Sequence, residues 1–204
     1  MAIAKREIAG LILIGGKSTR MGRPKALVEL AGIPLWLRAV ESLTPHVNEV
    51  LFLGHVPGFI APPEYRQVYD NPSDVGPLGG LLAGLDISGY EHHLLVAVDY
   101  PLVRFSFLEG LGARIGSLLA ICGQTSEFVD PLVAYYHKDC APVIRTMLAE
   151  GETRTHRLFG RVSSFVIPPA EMLKIDPAKW CLFNVNTPLD LIEAESRLRS
   201  GYPT

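Results

Sequence analysis

The chain has 204 residues, 48% of them hydrophobic, and a formal net charge of −2. That composition excludes a disordered polymer and is ample for one buried core. With no basic excess, neither nucleic acid nor an anionic membrane surface is expected as a partner, and any phosphate binding has to come from a local site.

No apolar run approaches the ~20 residues that a bilayer span requires. Residues 8–14 are apolar and follow Lys5, Arg6 and Glu7. The run is short for a signal segment and leads into a glycine loop rather than a cleavage site, so it reads as a buried strand. Pro34 then suits a first helical position, with Trp36, Ala39, Val40 and Leu43 at helical spacing behind it. Residues 50–53 and 67–69 are short strand candidates, separated by a Pro-rich surface loop at 57–63. Gly76-Pro77 opens a helix carrying Leu78, Leu81, Leu82 and Leu85 on one face. Residues 94–98, 118–122 and 131–136 complete the predicted strands. Near the end, Thr187 suits an N-cap, with Pro188 at N1, Asp190 at N3, and Leu191, Ala194 and Leu198 on a buried face. Alternating strands and helices predict a three-layer α/β fold with a mostly parallel sheet, in one domain over residues 1–204. Cys122, Cys140 and Cys181 are odd in number and form no CxxC pair, which reads as buried thiols of a reducing cytoplasm. The six histidines show no metal-ligand spacing, and His92-His93 reads as the entry to a strand.

The most informative segment is Leu13-Ile14-Gly15-Gly16-Lys17-Ser18-Thr19-Arg20-Met21-Gly22-Arg23-Pro24-Lys25, directly after the first strand. Ligands of open α/β sheets bind at the carboxyl ends of strands. Glycines there let the backbone turn and present N–H groups to an anion, and Lys17, Arg20, Arg23 and Lys25 add positive charge. The loop suits a polyphosphate. It is not a P-loop, because Leu11 stands where GxxxxGK[ST] needs glycine. It is not a dinucleotide fingerprint either, because Gly15 and Gly16 are adjacent.

The pattern LxGGxSxRMGxxK resembles the signature loop of nucleotidyltransferases with a Rossmann-like, GT-A-like core, and in particular the molybdenum cofactor guanylyltransferase family. Four further segments match that family in order. Gly76-Pro77-Leu78-Gly79-Gly80-Leu81 resembles its GPLxG helix start. Asp99-Tyr100-Pro101 resembles its D-x-P, where the aspartate holds Mg²⁺. Asp70 matches a position associated with nucleotide binding, although a loop aspartate explains it almost as well. Phe183-Asn184-Val185-Asn186-Thr187-Pro188-Leu189-Asp190-Leu191 resembles its F-x-N-x-N-T-P-x-D-L.

The resemblance implies a Mg²⁺-dependent enzyme that transfers GMP from GTP to molybdopterin, with Arg20, Lys25 and Asp99 as catalytic residues and Asp99 as metal ligand. It implies nucleotide contacts from Leu13, Ile14, Gly15, Gly16, Ser18, Arg20, Lys25, Asp70, Gly79 and Asp99, and acceptor contacts from Asn184 and Asn186. It also implies other molybdenum cofactor biosynthesis proteins and molybdoenzyme apoproteins as partners. Two departures stand out. Asp130 replaces the usual glutamine or histidine before Pro131-Leu132, and Ile14 replaces an alanine. Leu13-Ile14-Gly15-Gly16 is closer to the guanylyl than to the cytidylyl form of the loop. A cytidylyltransferase on the same acceptor, a sugar-phosphate nucleotidyltransferase and a nucleotide-binding regulatory module remain alternatives at this point.

Overall fold

The computed structural model describes residues 8–15, 21–69, 75–126 and 128–201. Its centre is β1 (Ile8–Leu13), six residues buried without interruption, as expected of a strand covered on both faces. Beside it lie β4 (Glu49–Leu53) and β6 (His92–Ala97), both parallel to it, with β5 (Arg66–Val68) outside β4. The other half of the sheet is formed by β8 (Val129–His137), antiparallel to β6, then β7 (Ala120–Gln124) and β9 (Ser164–Ile167). The order β5-β4-β1-β6-β8-β7-β9 makes a mostly parallel seven-stranded sheet in which β8 alone runs backwards. A two-stranded ribbon, β2 (Glu29–Leu30) with β3 (Ile33–Pro34), turns through Ala31 and Gly32, both at positive φ.

Helices cover both faces, which gives the three layers expected. On one face α2 (Pro77–Ile87) packs on β1, β4 and β5, next to α4 (Cys140–Ala149). On the other, α1 (Leu35–Leu43), α3 (Phe105–Gly112) and α5 (Pro169–Ile175) follow one another across β1, β8 and β7. Alternation along β1 decides which neighbour each residue meets. A methyl group on Gly10 would press on Val47 and Leu43 at 3.2–3.3 Å, whereas one on Gly84 of α2 would lie 3.1 Å from Leu11. A methyl on Gly80 would meet Leu13 at 2.8 Å. The glycines of α2 therefore let it lie close to the sheet and aim its first turn at the carboxyl end of β1.

The helix predicted at Pro34 begins one residue later, with Pro34 ending β3 and capping α1. The loop at 57–63 is anchored: Phe59 is buried, edge-on to Phe52 and Trp36 at 5.1 and 5.9 Å. Among the described residues no helix is long and apolar enough to cross a membrane.

Candidate active site

Strands β1 and β6 end side by side, and their continuation builds the site. Val98 donates its N–H to Leu13 O at 3.0 Å, and Ile14 donates to Leu53 O at 3.1 Å. Leu13 and Ile14 are themselves buried, at 6% and 2% exposure, so what they can offer a ligand is backbone. The bulk of Ile14 lies in the core. Gly15 is exposed and faces Gly54 (φ +102°), where a methyl group would come within 3.3 Å of the Gly15 backbone. Gly54 was not singled out from the sequence; its requirement arises from this close approach. Gly16, Lys17, Ser18, Thr19 and Arg20 lie outside the described residues, as does Asp70.

Lys25 re-enters the site on a short 3₁₀ turn, Lys25–Leu27. Its ammonium donates to Asp99 Oδ2 at 3.0 Å and to Asn186 Oδ1 at 2.5 Å. The Lys25 and Asp99 side chains are only 17% and 16% exposed, so their charges interact through little water. Three motifs separated by 74 and 161 positions in the chain thus meet at one nitrogen.

The C-terminal segment is held against this centre by its backbone. Val185 donates to Asp99 O at 2.7 Å. Asp190, in α6 (Pro188–Arg199), accepts from the N–H groups of Asn186 and Thr187 at 2.8 and 2.7 Å, while Thr187 Oγ1 accepts from Asp190 N–H, completing the predicted capping box. Burial tends to raise the Asp190 pKa. The Asn186 and Thr187 donors, aided by Lys25, outweigh it and leave the carboxyl below its ordinary value.

Two residues missed as partners from the sequence complete the arrangement. The Tyr100 hydroxyl lies beside the Asp130 carboxyl and the Asn184 side chain, which brings three chain segments together. Leu132 N–H also donates to Asp130 Oδ1, at 3.2 Å. Burial pushes the Asp130 carboxyl up to about 6, opposed by the neighbouring Tyr100 hydroxyl and the Leu132 N–H and reinforced by the charge of Asp99. The departure at position 130 thus places a carboxyl beside Tyr100, where it also accepts from Leu132 N–H. The only sequence signal was its mismatch to the family pattern.

Two oxygens here are buried without a hydrogen-bond partner, Asp99 Oδ1 and Asn184 Oδ1. Buried acceptors without partners are costly, and a hard cation that takes oxygen ligands is a chemically fitting partner for both. The residues present thus fit a divalent metal ion. Gly79 lies in the first turn of α2, where its N–H is engaged by Gly76 O at 3.1 Å. With Gln67, Tyr69, Val75, Leu82 and Asp86 it borders a cleft of about 460 Å³. The structure therefore gathers Lys25, Asp99, Asn184 and Asn186 into one centre, puts Gly15 at the end of the adjoining strand, and sets Gly79 on the wall of this cleft.

Residues 10–164 match the family model described as the MobA-like NTP transferase domain. A molybdenum cofactor guanylyltransferase of Rhodobacter capsulatus is 34% identical over 203 residues, covering 97% of this chain and all of the relative. One from Serratia proteamaculans is 33% identical over 153 residues, 72% of this chain and 77% of the relative. Among solved structures, the molybdopterin-guanine dinucleotide biosynthesis protein A of Archaeoglobus fulgidus superposes with a TM-score of 0.78 at 25% identity, over 94% of this chain and 99% of that one. Glycine loop, lysine–aspartate pair and capped C-terminal helix thus coincide with a family match over most of the chain, and this chain belongs to the MobA-like NTP transferase family.

Proposed function

We propose that this enzyme transfers GMP from GTP to molybdopterin, with release of pyrophosphate. The observation that carries the reading is the Lys25 ammonium held between Asp99 and Asn186, with unpartnered oxygens of Asp99 and Asn184 beside it. The guanylyltransferases among its relatives support the choice of GTP and acceptor.

In this reading an oxygen of the terminal phosphate of molybdopterin attacks the α-phosphorus. The new P–O bond forms as the bond to the β-phosphate oxygen breaks, and that electron pair leaves with pyrophosphate. A phosphate monoester has a second pKa near ~6, so the nucleophile is largely ionised at neutral pH and needs no general base. The protein's contribution is alignment of two anions and neutralisation of their charge. Lys25 and Arg20 offset the triphosphate. The backbone of Leu13, Ile14, Gly15 and Gly16 lines its path with Ser18, and Asp70 and Gly79 serve the nucleoside side. Asn186 fixes the Lys25 ammonium, and Asn184 and Asn186 stand on the acceptor side. Asp99 would hold Mg²⁺, with Asn184 Oδ1 at hand, and the ion would supply Lewis-acid charge neutralisation on phosphate oxygens.

The reading extends to the whole chain, 1–204, as one domain, supported by a sheet running from Ile8 to Ile167 and an α6 anchored to Asp99 through Val185. It places the protein in the cytoplasm, beside other molybdenum cofactor biosynthesis proteins and molybdoenzyme apoproteins. Three buried free thiols support that location, with burial pushing Cys140 and Cys181 up to about 12.

The test is pyrophosphate release with Mg²⁺, comparing GTP with CTP, each with and without molybdopterin. Release that requires both GTP and molybdopterin is expected. Release with CTP alone moves the enzyme to cytidylyl transfer, and release with neither removes molybdopterin as the acceptor.

A further inference from the structure

Linear spacing gives the histidines no metal-ligand pattern, yet folding brings two of them together. His92 opens β6 and His137 ends β8, and the two are register partners across the antiparallel pair. Their ring centroids are 5.2 Å apart. Glu91 immediately precedes β6, and one donor atom from each of Glu91, His92 and His137 lies within 4.8 Å of the others. The group sits at the opposite end of β6 from Asp99. At ~3.3 Å per strand residue the two places are roughly 20 Å apart.

Both imidazoles have an outer partner on Nδ1. His92 Nδ1 is 2.7 Å from the Tyr135 hydroxyl, and His137 Nδ1 is 3.3 Å from Asp139 Oδ2. His137 Nδ1 also lies 3.2 Å from the Asp139 backbone nitrogen. These last two contacts belong to different tautomers. The backbone N–H donates to an unprotonated Nδ1, whereas a protonated Nδ1 donates to the carboxylate. The second tautomer carries its lone pair on Nε2, where it can bind a metal while Nδ1–H donates to the carboxylate. Outer partners of this kind orient metal-binding histidines and raise their basicity.

We propose that Glu91, His92 and His137 form a binding site for a transition-metal ion of the Zn²⁺ type, separate from the phosphate-handling centre. Two imidazole nitrogens and one carboxylate suit Zn²⁺, whereas Mg²⁺ and Ca²⁺ favour sets of oxygens. Three protein ligands leave a fourth position for water. The Lys138 ammonium holds Glu91 Oε1 at 2.5 Å, so the ion competes with it and with any other hydrogen bonds at the donor atoms. Loading exchanges the Lys138–Glu91 pair for a clip between the start of β6 and the end of β8, and mass action then raises stability with free metal concentration.

The test is calorimetric titration of the full chain with Zn²⁺ in excess Mg²⁺, together with thermal melts. Saturable one-to-one binding and a Tm that rises with Zn²⁺ are expected. His92→Gln and His137→Gln should each weaken binding ~10-fold or more, Tyr135→Phe should weaken it ~10-fold, and Asp99→Asn should leave it intact. Should a histidine variant fail to fold, Co²⁺ added to the unaltered chain decides, since histidine ligation in a tetrahedral site gives strong visible absorption that Zn²⁺ abolishes. No saturable Zn²⁺ binding, an octahedral Co²⁺ spectrum, undiminished affinity in the double histidine variant, or loss of binding in Asp99→Asn would each overturn the site.

Discussion

Replacing Asp99 by asparagine preserves the shape of the side chain while removing its charge. Lys25 approaches Oδ2 at 3.0 Å, so the amide must turn its oxygen toward the ammonium and its NH₂ toward the place of Oδ1. The oxygen that has no partner is thereby replaced by a donor, and a cation can no longer be held there. The gross Coulomb attraction lost with Lys25 is roughly 5 kcal/mol at an effective dielectric of ~20. Both side chains retain about one-sixth exposure, and Lys25 keeps Asn186, so desolvation relief and screening reduce the net stability cost to about 1–2 kcal/mol. The rate should fall much further, by ~10²–10³ or more, because the loss falls where charge develops in the transition state. The assay is pyrophosphate release against Mg²⁺ concentration, with a urea melt of the same protein. A folded Asp99→Asn variant that retains near wild-type turnover would refute the assignment, and a stability loss far above 2 kcal/mol would refute the estimate of the ion pair.

Two titratable groups, the half-buried Asp130 and the buried His93, should bend the stability curve in opposite directions. Asp130 has a folded pKa raised to about 6, so its contribution is complete below its unfolded value and is lost as pH rises to about 6. His93 is pushed by burial down to about 4, so its contribution is present above about 6.5 and is lost as pH falls toward 4. Each slope is about 1.4 kcal/mol per pH unit, and the two offset between roughly pH 4 and 6. In Asp130→Asn the opposing Asp130 slope is removed, and urea denaturation should show stability climbing with pH across that window; a profile parallel to wild type counts against the raised pKa of Asp130. Thr187→Ala removes the side chain that accepts from Asp190 N–H, which should cost ~1 kcal/mol in a urea melt, with Thr187→Ser restoring most of it. An unchanged melt would show that the Asp190 half of the capping box suffices.

The predicted strands were read to within two residues at their boundaries, and all but β5 (Arg66–Val68) carry an apolar run. Their directions were not legible: β8 is equally apolar read either way, and its reversal follows from the order of strands in the sheet. The helices α3, α4 and α5 were not predicted; in α3, Gly110 and Gly112 interrupt the apolar pattern although Phe107, Leu108 and Leu111 bury one face. The ribbon β2–β3 has two residues per strand, too few for any periodicity, and β9 has only four. At the site, Lys25, Asp99 and the asparagines were found through ordered motifs. The grouping of Asp130, Tyr100 and Asn184 was not, because it depends on which way the turn after β6 points a tyrosine. The pairing of His92 with His137 likewise depends on the register of β6 and β8, which no local pattern reveals.

The bond from Val185 to Asp99 and the capping box that sets Asn186 have a consequence for the order of synthesis. Every strand of the large sheet is complete by Ile167, so a nascent chain can assemble that sheet before residues 184–190 have left the ribosome. Until then Lys25 lacks its contact with Asn186, and Asp99 lacks its backbone donor and the neighbouring Asn184 carbonyl. Until those residues emerge, the growing polypeptide carries an assembled sheet without a finished phosphate centre.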